Sequence, residues 1–108
     1  MRRTPSNPVI VKIAINGTES EVFDMRRFAG GNFCTPAALT GTKVTFLLAS
    51  ERDGTYLEAR ENGAAVEVDI AADGWYQLPS IVETAGFVKL KSNATELAER
   101  SFTIHAKS

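Results

Sequence analysis

Lys43 to Ile70 reads KVTFLLASERDGTYLEARENGAAVEVDI, and this stretch decides the fold class. Two turn signals, Asp53-Gly54 and Asn62-Gly63, divide it into three runs. Glycine after Asp or Asn suits the tight turns whose twist matches that of paired strands. In the third run Val66, Val68 and Ile70 alternate with Glu67 and Asp69. That period of two belongs to a strand with one dry and one wet face. The stretch predicts a three-stranded antiparallel meander.

Working toward the N-terminus, Arg26 to Thr42 is irregular. Gly30-Gly31-Asn32 breaks any element, and the long connection holds at most one short strand around Phe33. Such a connection is where a chain crosses between sheets. Before it, Pro8 to Ile15 reads as a strand with Val9, Val11, Ile13 and Ile15 on one face. Asn16-Gly17 turns the chain, and Ser20 to Met25 returns as its hairpin partner. Met1 to Pro8 holds Arg2, Arg3 and two prolines and reads as an extended arm, leaving 9–108 as the β domain.

Toward the C-terminus, Asp73-Gly74 is a turn and Trp75 to Leu78 a strand. Ser80-Ile81-Val82-Glu83 fits a capping box and predicts one helical turn ending at Gly86. Phe87 to Lys91 is a strand with Val88 and Leu90 inward. Ser92 to Glu99 is a polar loop, and Arg100 to Lys107 closes the chain with Phe102 and Ile104 inward. About eight short strands at regular spacing, with no long helical period, predict an all-β antiparallel sandwich or jelly roll.

Composition narrows the class further. The 108 residues are enough for one core; 44% are hydrophobic and 23% charged, which argues against disorder. A net charge of −1 provides no field to gather nucleic acid or anionic lipid. One cysteine forms no internal disulfide, and no apolar run reaches the roughly 20 residues needed to span a bilayer. The sequence MRRTPSNP has no apolar stretch behind its arginines, so it does not read as a secretory signal.

The chemistry-bearing residues are few. His105, the single histidine, alternates with Ile104 and is expected outward, and zinc sites need three or four ligands. Cys34 reads as a small buried hydrophobe. Glu51, Asp53, Glu58, Glu61, Glu67, Asp69 and Asp73 sit in turns or alternate with apolar residues, as on a solvated sheet face; no calcium loop is present. Gly30-Gly31 lacks the Lys-Ser/Thr of a phosphate loop, and no G-x-S-x-G elbow occurs. Asn16-Gly17-Thr18 and Asn93-Ala94-Thr95 match the glycosylation pattern, which is idle without secretion. These observations predict a non-enzyme without cofactor or metal. The remaining candidates are interface residues: the basic pairs Arg2-Arg3 and Arg26-Arg27, and the aromatic pair Trp75-Tyr76. One ring of that pair must face the core, and Trp75 is the one expected there.

An ordered set of segments also carries a resemblance. One half is Phe23-Asp24-Met25-Arg26-Arg27-Phe28, Thr35-Pro36-Ala37-Ala38-Leu39-Thr40-Gly41, and Val44-Thr45-Phe46 closing on Ser50-Glu51-Arg52-Asp53-Gly54-Thr55-Tyr56. The other is Asn62 to Val68, Gly74-Trp75-Tyr76-Gln77-Leu78-Pro79 and Gly86 to Ser92. Together they resemble small jelly-roll, galactose-binding-like virion proteins of tailed bacteriophages, over about Ser20 to Ala106. The resemblance implies a virion structural protein made in the host bacterial cytoplasm. Its first implied role is capsid decoration or cement on the head surface, with the major capsid protein as partner and self-association, for example as a trimer. It implies no catalytic residue. The alternative is a carbohydrate-binding or adaptor module of a head fibre, neck or tail, for which Trp75, Tyr76, Tyr56 and Arg52 are the sugar-site candidates.

Overall fold

The structure of the protein, a computed structural model, describes residues 8–107. The proposed arm, with Arg2 and Arg3, lies outside the described residues except for Pro8. The first strand is β1 (Val9–Ile13), shorter than its apolar alternation suggests. Asn16 adopts a left-handed φ of 67°, and the amide of Gly17 closes the turn on the Ala14 carbonyl at 2.9 Å. Ile15 falls within this turn and is exposed.

The return segment does not form the expected hairpin. Only a single bridge, Ile13 to Ser20, links the two runs. The chain then crosses over, and β2 (Phe23–Asp24) joins the other sheet. Within this run Phe23 and Met25 are buried. Gly30-Gly31-Asn32 does not break the chain; it opens β3 (Gly30–Cys34). A side chain on Gly31 would come within 2.8 Å of the Ala106 Cα, so here glycine permits close strand approach rather than a break.

The decisive stretch forms strands, but not a meander. β4 (Lys43–Ala49) is followed by β5 (Leu57–Glu58), β6 (Arg60–Glu61), β7 (Ala64–Ala65) and β8 (Val68–Asp69). Asn62 and Gly63 take φ of 54° and 80° and close the tight β6–β7 hairpin. The long strand β4 meets β5 at Leu47–Glu58 and Leu48–Leu57, and β8 at Lys43–Asp69 and Val44–Val68. Both runs therefore dock on β4 and the small hairpin lies between them. A run of two paired residues is too short to template a further strand, so the seven-residue β4 takes both.

The remaining elements are β9 (Trp75–Gln77), the single helical turn α1 (Ser80–Glu83), β10 (Phe87–Ser92) and β11 (Arg100–Lys107). The capping box is not formed. Pro79, extended at φ −61° and ψ 149°, occupies the cap position and no side chain caps the helix. No helix among the described residues is long and apolar enough to cross a membrane.

The fold is all-β with antiparallel sheets: β1-β11-β3-β9 and β2-β10-β4-β5, the latter with β8 also on β4. Among the described residues eleven strands appear rather than about eight, five of them two residues long. Inward residues of both sheets enter one core, including Val11, Phe33, Phe102 and Ile104 from the first and Val44, Phe46, Val88 and Leu90 from the second. Phe33 and Phe46 meet edge to face with centroids 6.2 Å apart, joining the sheets at the centre. The arrangement is compatible with a sandwich.

Candidate functional site

Among the described residues, the four-stranded sheet carries an uncovered row on its outward face. Register aligns Ile10 with Thr103, Thr103 with Cys34, and Cys34 with Trp75. Residues paired across antiparallel strands share a face, so these four side chains form one line across the sheet. Its two ends are apolar and open: Ile10 is 59% exposed and Trp75 61%. The next row holds His105, Asn32 and Gln77. The His105 ring packs beside the Trp75 indole, with centroids 4.7 Å apart.

Trp75 is thus not the core aromatic of its pair. Register places Tyr76 opposite the buried Phe33, and their rings lie 5.6 Å apart. The Tyr76 hydroxyl accepts a hydrogen bond from the Ala71 amide at 2.8 Å, which meets the need of a half-buried phenol. Cys34 likewise points outward, half-buried beneath this face rather than within the core. Partial burial pushes its thiol upward, away from the thiolate that nucleophilic chemistry requires.

The outward face of the five-stranded sheet has a different character. Phe87 points away from the core yet is only 5% exposed, because side chains lie over it. The Arg26 guanidinium sits 4.7 Å from its centroid and that of Arg52 5.1 Å. Lys89 stacks 4.6 Å over Tyr56, and Lys43 pairs with Glu67 at 3.3 Å. Asp24 receives Arg26 through a two-pronged contact, Nε to Oδ1 at 3.1 Å and Nη2 to Oδ2 at 2.9 Å. These Arg26 contacts, its backbone amide and the Arg52 charge hold the Asp24 carboxyl down at about 2. Arg26, Arg27 and Arg52 line a cleft of about 370 Å³ with Val9, Val22 and Phe28.

A third constellation lies in the segment expected to be a polar loop. Glu96 is fully buried. Its Oε1 accepts from the Thr40 amide and Arg100 Nε, and its Oε2 from the Gly41 amide and the Ser92 hydroxyl, each at 2.9 Å. Burial pushes this carboxyl up, but the Thr40, Arg100, Gly41 and Ser92 donors together outweigh it and hold the group below its ordinary value. The backbone of Glu96 also bonds to Asn16 and Gly17. A side chain on Gly41 would collide with the Ser92 hydroxyl and crowd the carboxylate, so this close approach favours glycine. The cluster pins three connections together, and both carboxylate oxygens are already taken up by internal donors.

Comparison of the chain with protein-family models, with curated proteins and with solved structures finds no match. The residues themselves must therefore carry the functional reading.

The sequence-predicted interface residues do not converge. Arg26 and Arg27 reach the cleft, Trp75 lies on the other sheet, Tyr76 packs inward, and Arg2 and Arg3 lie outside the described residues. The sugar-site candidates separate too, because Tyr56 and Arg52 belong to the five-stranded sheet's outward layer. Among the described residues no three His, Cys, Asp or Glu side chains gather as a metal site requires. Sequence reading missed Arg52 as a cleft residue and Glu96 as a buried staple. Arg52 lies 25 residues beyond Arg27 in the chain, and only the docking of its loop over Phe87 brings the two together.

Proposed function

We propose that this is a non-enzymatic virion structural protein of jelly-roll type, a capsid decoration or cement protein that binds the outside of an assembled phage head. Strand pairing supports the fold part of the reading. Leaving aside the short strands β6, β7 and β8, the chain pairs first with last and inward from there: β1 with β11, β2 with β10, β3 with β9, β4 with β5. A single long antiparallel ribbon rolled into two sheets gives that nesting, the geometry of jelly rolls in viral capsid and lectin domains. Passing from such a fold to a virion role is analogy, supported here by the resemblance of the ordered segments.

The observation that carries the binding role is the uncovered Ile10–Thr103–Cys34–Trp75 row. An exposed tryptophan on a regular sheet is a rigid anchor of the kind that dominates protein interfaces. A cement protein acts by binding the assembled lattice more tightly than its loose subunits, with the major capsid protein as partner. Copy number in purified particles tests this. A number comparable to that of the major shell protein is expected, and absence from particles refutes the reading. Trp75→Ala should lower occupancy affinity roughly thirtyfold, as loss of a hot spot of about 2 kcal/mol does, while leaving the melting midpoint unchanged.

One observation favours the second reading, a carbohydrate-binding module of a fibre or tail. The Trp75 ring is flanked by the polar side chains of Asn32, Gln77 and His105 on the same face. A flat aromatic beside hydrogen-bonding groups is a suitable platform for a sugar ring. A handful of copies per particle, together with glycan binding lost in Trp75→Ala, would select this reading over decoration.

A further inference from the structure

The arginine-lined cleft has features that the Trp75 face lacks. It is lined by residues from the edge strands of both sheets, Val9 of β1 and Asp24 of β2. Among the described residues three guanidiniums face one carboxylate there, a local excess of positive charge on a chain whose net charge is −1. Among the described residues Arg27 and Arg52 form no ion pair, whereas Arg26 is held by Asp24. Stacking on Phe87 fixes Arg26 and Arg52, so part of the ordering cost of an anion site is already met. Between the arginines the lining is apolar: Val9, Val22 and Phe28.

The edges define the shape of an occupant. On β1, the Lys12 amide donates to Glu21 at 3.0 Å and its carbonyl accepts from the Glu21 amide at 3.1 Å, so both groups point away from β11. Alternation turns the backbone groups of Ile10, the residue after cleft-lining Val9, the same way. On β2, the Met25 amide bonds to Gly86 of the neighbouring segment, which turns the Asp24 backbone groups outward. A gap bounded by outward-facing main-chain groups on both sides suits an extended chain.

We propose that this cleft binds an acidic, extended peptide segment, its carboxylates on Arg27 and Arg52 and its apolar side chains on Val9, Val22 and Phe28. The proposal stands on the cleft alone and does not rest on the virion reading. Arg26 serves as a reserve donor, because Asp24 engages its Nε and Nη2 and no partner is found for its Nη1 among the described residues.

Fluorescence anisotropy of the full chain with a short labelled peptide alternating glutamate and valine provides the test. The expected result is saturable binding at low salt that weakens as salt is raised. Arg27→Ala and Arg52→Ala should each weaken it roughly tenfold, the worth of one charge-assisted contact. Arg27 is exposed, so Arg27→Ala should keep the wild-type melting curve; Arg52→Lys, which retains charge but loses the planar fork, gives a second variant if Arg52→Ala loosens its loop. Equal binding of a lysine–valine peptide, no saturable binding, or unchanged affinity in both alanine variants would overturn the proposal. Displacement of the glutamate peptide by a sulfated oligosaccharide that binds far more tightly would also overturn it, in favour of an anionic glycan.

Discussion

Two carboxylate–guanidinium pairs in this protein have the same closest distance and opposite roles. Glu96 and Arg100 approach to 2.9 Å, and so do Asp24 and Arg26. The first pair is buried, with side chains 0% and 14% exposed, and each carboxylate oxygen accepts two hydrogen bonds, those from the Thr40 and Gly41 amides reaching in from another connection. The second is a local contact two residues apart, its arginine largely in water and its carboxylate at the mouth of a cleft. Distance therefore does not rank them. A buried charge cannot fall back on water, so losing a partner is expensive, whereas an exposed pair can exchange its partner for solvent or for a ligand. The contrast assigns one pair to the fold and the other to recognition.

The largest expected effect tests the buried side. Glu96→Gln keeps the shape but presents an amide N–H₂ to donors from Gly41 and Ser92 or from Thr40 and Arg100. It should cost about 3–5 kcal/mol in urea unfolding, the usual loss on breaking a buried pair. A cost below about 1 kcal/mol would erase the distinction between the two pairs, that being the worth of a surface contact.

Acid comes next, because both carboxyls sit below their ordinary values but for different reasons. A carboxyl depressed in the folded state contributes stability that is present above its unfolded value, near 4, and is lost as pH falls through the folded value. For Asp24 that window runs from about 4 down to about 2. For Glu96 it begins at the same upper end, and protonation there removes the charge that four donors surround. Urea midpoints measured from neutral pH downward should fall steeply in the wild type. They should fall less in Glu96→Gln, which has already lost the titrating group; parallel curves would show that Glu96 does not govern the acid limb.

How legible these pairs were in the sequence follows from the range of their contacts. Alternation in Val66-Glu67-Val68-Asp69-Ile70 and in Phe87 to Lys91 found inward residues correctly, because strand phase is local. Asn16-Gly17, Asn62-Gly63 and Asp73-Gly74 marked real turns, each with a left-handed Asn or Asp. Partner choice was not legible: nothing near Ser20 to Met25 says that it crosses to pair with β10 instead of β1. Trp75-Tyr76 failed because a three-residue strand with two adjacent aromatics has no phase of its own, and the opposing Phe33 sets it. Glu96 looked solvated because the amides that justify its burial lie 55 and 56 residues away. Asp24-x-Arg26 could have been read as a local ion pair, but its neighbour Arg52 could not.

The smallest stability effect carries the sharpest functional contrast. Asp24→Asn should barely move the melting midpoint, since an exposed pair is worth little and the side chain can still accept from the Arg26 amide. It also removes the only carboxylate that lines the cleft among the described residues and releases the Arg26 guanidinium. If the pair at Asp24 is a placeholder for a ligand's carboxylate, the glutamate–valine peptide should bind severalfold more tightly to Asp24→Asn than to the wild type, with a steeper salt dependence because a third cation takes part. If instead Asp24 orients Arg26 for the ligand, affinity should fall in this variant although stability is untouched. Anisotropy titrations at two salt concentrations separate the alternatives. A fall would move Asp24 from competitor to positioning residue while leaving Glu96, whose donors are all internal, as the structural member of the comparison.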